Sequence, residues 1–240
     1  MLLRMTALAT LTLAMFGMGG SPAASQEAKK PKPEDLAKTK KALQEVQDFI
    51  GLWNLEGTQK EGGKTVAWKE KVSWSWKFKD GDAWIAVEFA EGKGKYFTAG
   101  TLRYDVAKKK YVLTLTGADK AEQVYEGDVG KTGGLQLTRK DAKTGDVYKL
   151  GLNTLAEGIR FQVKYEKQDG GKGVFASVFA MNGNKDGESI AGAPKKPECI
   201  VSGGAATIAV SYMGKTYYVC CTGCRDEFNA NPEKYVKGKK

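Results

Sequence analysis

All four cysteines of this 240-residue chain lie in its final fifth, at Cys199, Cys220, Cys221 and Cys224. One cysteine, a strand-like run and then Cys-Cys-Thr-Gly-Cys at the start of a helix is a spacing typical of a small thiolate metal site. Thiolates are soft ligands that suit Zn(II) or Cu(I). The sequence therefore predicts that these four sulfurs hold one metal ion, with its identity open between zinc and copper.

The chain contains no histidine. Histidine is the commonest metal ligand and a frequent general base near neutral pH. Its absence excludes Ser-His-Asp and Cys-His catalysis and any haem held by a histidine. The composition therefore predicts a binding protein and not an enzyme.

The elements around the cysteines form a short ββα module over residues 196–240. Cys199 precedes a glycine-rich turn, residues 208–212 and 217–219 alternate as two strands, and a helix opens at Thr222 or Gly223. So short a domain buries too little apolar surface to fold readily without a bound metal or disulfides to stabilise it. Backbone N–H groups at the start of the helix would also favour thiolates.

This module resembles the YHS domain and the related TRASH domain, both associated with heavy metals. The resemblance implies that Cys199, Cys220 and Cys224 are metal ligands, with Cys221 as an extra thiol able to complete the coordination sphere. The first cysteine departs from the pattern, since many members carry it a few residues later. The matching residues are Cys199, the hairpin from Tyr212 to Tyr218, Cys220-x-x-x-Cys224, Phe228 and Asn231-Pro232-Glu233-Lys234-Tyr235.

Two other uses of the cysteines stay open at this point. Cys221-x-x-Cys224 has the spacing of a thiol–disulfide redox motif, although a thioredoxin-like fold needs a βαβ context and a longer chain. Two structural disulfides are the other alternative if the compartment is oxidising. Adjacent Cys220 and Cys221 do not readily bond each other, so each would pair with Cys199 or Cys224.

The long middle part of the chain reads as sequential antiparallel strands. A helix is expected from Pro33 to Asp48, and about ten strands separated by short turns follow between Gly51 and Met181. Such a chain removes its exposed edges best by closing into an up-and-down barrel. The clearest alternation places Val72, Trp74, Trp76 and Phe78 on one face and Ser73, Ser75 and Lys77 on the other.

Two segments of this part are similar to known barrel families. Residues 49–57, with Gly51-x-Trp53, resemble the opening of the calycin superfamily, and residues 104–114 resemble a hairpin of a bacterial lipocalin-like family of unknown function. The resemblance implies a mainly β fold, a calycin-like barrel of about ten strands with an N-terminal helix, followed by the ββα module. It implies no established activity.

The five tryptophans all lie between Trp53 and Trp84. They fit the packed core of a barrel, and they also fit the wall of a cavity for a small apolar ligand. The second interpretation gives an alternative function, a carrier barrel with a zinc- or disulfide-stapled accessory module.

The beginning of the chain predicts export. A short basic start, an apolar run and small residues near position 25 are typical of a secretory signal peptide, and the run is shorter than the about 20 apolar residues of a membrane span. The expected location is periplasmic or secreted, with no membrane span after cleavage. The expected parts are a signal peptide (1–25), a disordered start and helix (26–48), the barrel (49–182), a linker (183–195) and the module (196–240).

The net charge of +10 is spread over lysines in turns and on polar strand faces. It indicates a solvated surface, and no nucleic-acid motif accompanies it. The predicted partners are a metal ion and, in the alternative function, a small apolar ligand.

We predict that the protein shows negligible insulin-reduction or thiol-oxidase activity, with metal and after chelation. A reactive Cys-x-x-Cys pair needs an exposed thiolate and a resolving thiol free to pair with it. A metal held by the same sulfurs would quench their nucleophilicity, and no imidazole is present to act as a base. Turnover that disappears in Cys221→Ser would instead identify a redox enzyme.

Overall fold

The computed structural model describes residues 33–131, 133–188 and 196–237. The predicted signal peptide and residues 26–32 and 189–195 lie outside them. No helix in the described ranges is long and apolar enough to cross a membrane. The helices are α1 (Pro33–Gln44), α2 (Thr222–Ala230) and α3 (Pro232–Val236). The strands are β1 (Gly51–Glu61), β2 (Lys64–Lys79), β3 (Asp82–Phe89), β4 (Phe97–Asp105), β5 (Lys110–Gly117), β6 (Glu122–Val129), β7 (Leu135–Lys140), β8 (Val147–Leu155), β9 (Arg160–Gln168), β10 (Ala176–Lys185), β11 (Ile208–Tyr212) and β12 (Lys215–Val219).

Strands β1 to β10 form a closed antiparallel barrel in sequential order, and β1 pairs with β10 to complete the ring. Alternation fills the interior: Tyr111, Leu113 and Leu115 of β5 are buried, and the residues between them are half-buried. Closure leaves none of the ten strands at an open edge. The predicted mainly β fold and ten-stranded barrel are confirmed. Strand β10 extends beyond residue 182, where the sequence placed the end of the barrel.

Helix α1 and the 3-10 turn after it close one end of the barrel. The ring of Phe49 in that turn meets Trp74 and Phe161 edge-on, at centroid distances of 5.5 and 5.1 Å. The indole N–H of Trp53 donates to the Phe49 carbonyl at 2.7 Å. The expected N-terminal helix is therefore present, with its α-helical part ending at Gln44 and a 3-10 turn over Gln47–Phe49.

The barrel interior is filled by its own side chains. Trp53, Trp74 and Trp76 are buried, and the remaining apolar space in the interior is about 30 Å³. Pockets that hold a small organic ligand usually measure about 300–1,000 Å³. These three tryptophans are therefore packed core, while Trp68 and Trp84 are half-buried, and the described interior does not favour the carrier alternative.

The ββα module lies against α1 and β2. The side-chain amide of Gln44 in α1 donates to the Ser202 carbonyl at 2.6 Å. At Gly223 in α2, a Cβ would stand 1.6 Å from the carbonyl oxygen of Trp76 in β2. Only glycine allows two backbones to approach this closely. The buried apolar residues of barrel and module accordingly form one continuous cluster.

We predict that Gly223→Ala destabilises the protein by about 2 kcal/mol, because the added methyl group must push α2 away from the Trp76 carbonyl. In a helix without this contact, the same change would stabilise by up to about 1 kcal/mol, since alanine is the better helix former. The change in the free energy of unfolding therefore has opposite signs with and without this contact. Urea denaturation followed by far-ultraviolet circular dichroism measures the difference.

Asn229→Ala is the matched control, since Asn229 lies on the same helix and is exposed. Its effect should stay within about 0.5 kcal/mol. A Gly223→Ala protein as stable as the wild type would show that the module does not rest on β2 as described.

Candidate metal centre

The first cysteine is held by a tight turn before β11. The Cys199 N–H donates to the Gly204 carbonyl at 2.6 Å, and the Gly203 N–H donates back to the Cys199 carbonyl at 2.8 Å. Gly203 has φ of +81°, a conformation that side chains rarely adopt. The Ser202 N–H points at the Cys199 sulfur at 3.4 Å. The turn therefore buries Cys199 and aims one backbone donor at its sulfur.

The other cysteines lie where β12 passes into α2. Cys220 follows the strand directly, Cys221 is the N-cap residue, and Cys224 stands in the first turn of the helix. The Arg225 N–H donates to the Cys221 carbonyl at 3.0 Å and so starts the helix. This junction places the sulfurs of Cys220 and Cys224 3.5 Å apart. The turn before β11 joins this junction because the Ile200 N–H donates to the Tyr218 carbonyl at 3.0 Å.

The sulfurs of Cys199, Cys220 and Cys224 all lie within 4.8 Å of one another. Three thiolates bound tetrahedrally at about 2.3 Å from a zinc ion would be about 3.8 Å apart, so this triangle fits a metal with small adjustments. Cys199 and Cys224 are buried, Cys220 is half-buried, and all four cysteines are free thiols. The structure therefore brings together the three cysteines that the resemblance implied as ligands.

Cys221 stands beside this triangle and is not part of the group. Its sulfur is hydrogen-bonded by the thiols of Cys220 and Cys224 and by the backbone N–H groups of Cys224 and Trp76. These bonds, with that from Cys220 the strongest, lower the pKa of Cys221 to about 3. One of the donors belongs to the barrel, so Cys221 links the cluster to β2. Its role as a fourth ligand, predicted from the sequence, stays a prediction.

Hydrogen bonds among the thiols shift their pKa values in opposite directions. Those from Cys220 and Cys224 lower the pKa of Cys199, and the same bonds raise the pKa of Cys220 and Cys224. Closely spaced, largely buried thiol sulfurs of this kind are a donor set that suits a soft cation.

Helix α1 supplies a charged residue near the cluster, Lys40, that the sequence analysis missed. The Lys40 ammonium donates to the Val201 carbonyl at 3.5 Å and lies 5.5 Å from the ring centre of Tyr235 in α3. Burial and then the charge of Lys234 lower its pKa, while nearby acidic groups including Cys224 and Cys199 oppose this shift. Lys40 therefore places positive charge close to the cluster. No local pattern marks it, because it lies 159 residues before Cys199 in the chain.

The module packs its own small aromatic core behind the cysteines. Phe228 of α2 is buried against the rings of Tyr212, Tyr217 and Tyr235, with centroid distances of 6.4, 5.6 and 6.5 Å. These are residues that carried the resemblance noted above. They fix α2 on the β11–β12 hairpin and so keep Cys224 facing Cys199.

A cleft of about 310 Å³ separates the module from the barrel, and both Cys220 and Cys221 line it. Lys185 and Glu188 line it from the barrel side, and Lys196 lines it from the start of the module. Cys199 and Cys224 are not among its lining residues. The cleft therefore exposes one side of the sulfur cluster.

Comparison with known protein families finds a match over the ββα module. Residues 201–239 match the YHS domain family. Cys220, Cys221 and Cys224 fall inside the match, and Cys199 lies just before it. No protein of curated function matches the chain in sequence.

Two solved structures are similar to part of the chain. Rv2717c from M. tuberculosis is 15% identical, with a TM-score of 0.42 over 60% of this chain and 97% of that one. A DUF1329 family protein from Desulfovibrio piger is 11% identical, with a TM-score of 0.25 over 66% of this chain and 94% of that one.

We predict that, in the chelated protein, iodoacetamide modifies Cys220 and Cys221 before Cys199 and Cys224. Access to the reagent decides this order despite the opposite pKa shifts of Cys220 and Cys199, because of the four cysteines Cys220 and Cys221 line the cleft. Mass spectrometry of peptides after a timed reaction gives the order. Protein unfolded in guanidinium is the control, and its four cysteines should react at similar rates. Equal early labelling of Cys199 in the folded protein would contradict the described burial.

Proposed function

We propose that the protein is a non-enzymatic binder of one soft metal ion, Zn(II) or Cu(I), held by Cys199, Cys220 and Cys224. The observation that carries this proposal is the buried triangle of three thiol sulfurs within 4.8 Å of one another. The match of residues 201–239 to the YHS domain supports it. The absence of histidine speaks for binding over catalysis, as argued from the sequence.

Cys221 enters the proposal as the fourth sulfur. It lines the same cleft as Cys220, and hydrogen bonds from Cys220 and Cys224 lower its pKa. A thiolate is the form that binds metal. The Trp76 N–H that holds this sulfur would have to share it with the ion.

The proposal places this binding outside the cytoplasm. Its support is the basic start, apolar run and small residues of positions 1–25. Sequencing the amino terminus of the protein isolated from its native cell tests this part by itself. An intact Met1 would contradict export by signal cleavage.

We predict that protein purified without oxygen carries about one zinc or copper ion per chain, and that Cys224→Ser carries close to none. Loss of a buried ligand removes a bond to the metal, and it also weakens the fold because metal binding and folding are coupled in small domains. Cys221→Ser is the matched variant. It should keep the stoichiometry in excess metal and lose about 10- to 100-fold in affinity, because the three sulfurs of the triangle remain to hold the ion. Elemental analysis and competition with a chelator measure the two quantities.

Metal should also stabilise the folded chain, since a ligand that binds only the native state raises its free energy of unfolding. Chelation should lower the melting temperature of the wild type and leave that of a Cys199/Cys220/Cys224 triple serine variant unchanged. Full metal stoichiometry in the triple variant would refute the proposed site.

A further inference from the structure

We propose that Gln44 of α1 is a positioning residue of the metal centre and that it acts through Ser202. Ser202 in turn contacts the sulfurs of two of the three proposed ligands. The inference rests on the proposed function and deepens it, because it makes the helix that closes the barrel a part of the metal site.

Ser202 lies between two sulfurs of the triangle. Its N–H points at the Cys199 sulfur at 3.4 Å, and its hydroxyl lies 3.3 Å from the Cys220 sulfur. Ser202 is fully buried, so the protein itself sets the directions of both groups. Groups that hydrogen-bond to metal ligands orient them and strengthen metal binding. Ser202 is therefore in a position to orient Cys199 and Cys220 together.

Gln44 holds Ser202 from outside the module. Its side-chain amide donates to the Ser202 carbonyl at 2.6 Å and joins residues 158 positions apart in the chain. A shift of this carbonyl would move the whole residue, including its N–H and its hydroxyl. The hydrogen bond from Gln44 therefore helps to decide where both donors of Ser202 point.

Two neighbours of Gln44 contact the same turn. The Lys40 ammonium donates to the Val201 carbonyl at 3.5 Å, and a Cβ at Gly204 would stand 2.9 Å from the side-chain oxygen of Gln47. Lys40, Gln44 and Gln47 are spaced by four and three residues, which places them on one helical face. This face of α1 and of the 3-10 turn after it lies along the turn that carries the first ligand.

A contact that only joined α1 to the module would have a different effect from a positioning contact. Its loss would lower the stability of the fold and leave the metal–sulfur bonds of the folded protein unchanged. Loss of a positioning contact changes those bonds themselves. The experiment must therefore measure the bonds and the stability separately.

The test uses Cd(II) bound to the full chain, because cadmium–thiolate bonds absorb in the ultraviolet and the absorption grows with the number of sulfurs bound. Gln44→Met keeps the length of the side chain and removes the amide. It should weaken Cd(II) binding about tenfold in competition with a chelator and lower the cadmium–thiolate absorption at saturation. Gln44→Asn, which keeps an amide but is one methylene shorter, is the second variant if Gln44→Met does not fold.

Two control variants separate positioning from stability. Lys41→Met changes an exposed residue of the same helix and should leave affinity and absorption unchanged. Leu137 is buried in β7, which stands opposite β2 in the ring of strands. Leu137→Ala should lower the melting temperature through the cavity it leaves, and the folded protein should bind Cd(II) as the wild type does.

A double-mutant cycle tests whether Gln44 acts through Ser202. Ser202→Ala removes the hydroxyl beside Cys220 and should itself weaken Cd(II) binding about tenfold. The effect of Gln44→Met should be smaller in the Ser202→Ala background, because one of the two donors that Gln44 positions is then absent.

The outcomes distinguish this inference from the proposed function. Wild-type affinity and absorption in Gln44→Met, or strictly additive effects of Gln44→Met and Ser202→Ala, would overturn the positioning role and leave metal binding intact. A wild-type chain that gains no cadmium–thiolate absorption would overturn the proposed function and this inference together.

Discussion

The two parts of the molecule are held together by the close approach of α2 to β2 at Gly223 and Trp76. A backbone carbonyl occupies the place where any side chain of residue 223 would begin. This contact sets the position of the helix that carries Cys224 and of the N-cap residue Cys221. The sulfur cluster is therefore positioned partly by the barrel, although all four cysteines belong to the module. A small domain buries little apolar surface by itself, and packing against the barrel buries more of it.

The barrel suits this role because its interior is filled. Phe49 closes one end against Trp74 and Phe161, and the space that remains inside is about 30 Å³. Close-packed interiors resist deformation and transmit displacement. A rigid β2 can keep the Trp76 N–H directed at the Cys221 sulfur. A barrel with a ligand cavity would deform more easily and would hold this N–H less firmly.

Local patterns in the sequence were enough to predict the ten strands, the β11–β12 hairpin and the helix that begins beside Cys221. Period-two alternation and cysteine spacing involve residues close together in the chain. They therefore predict strands and helix starts, which depend mainly on neighbouring residues. The contacts of Lys40, Gln44 and Gly223 were not predicted. Each joins residues far apart in the chain, and on its own each looks like an ordinary helical residue. Cysteine spacing alone also does not fix where each sulfur lies, so it could not show that Cys221 stands beside the triangle of the other three sulfurs.

Hydrogen bonding around the sulfurs connects these observations. The pKa values of Cys199 and Cys221 are lowered, and one of these residues lies inside the triangle and the other beside it. Backbone donors at the start of α2, the Trp76 N–H and, at a distance, Lys40 surround the cluster. Three of the four cysteines have little contact with water. Burial disfavours negative charge on these sulfurs unless a cation compensates it. A metal held by Cys199, Cys220 and Cys224 would supply that compensation, and the contact of α2 with β2 helps to keep the three sulfurs in place for it.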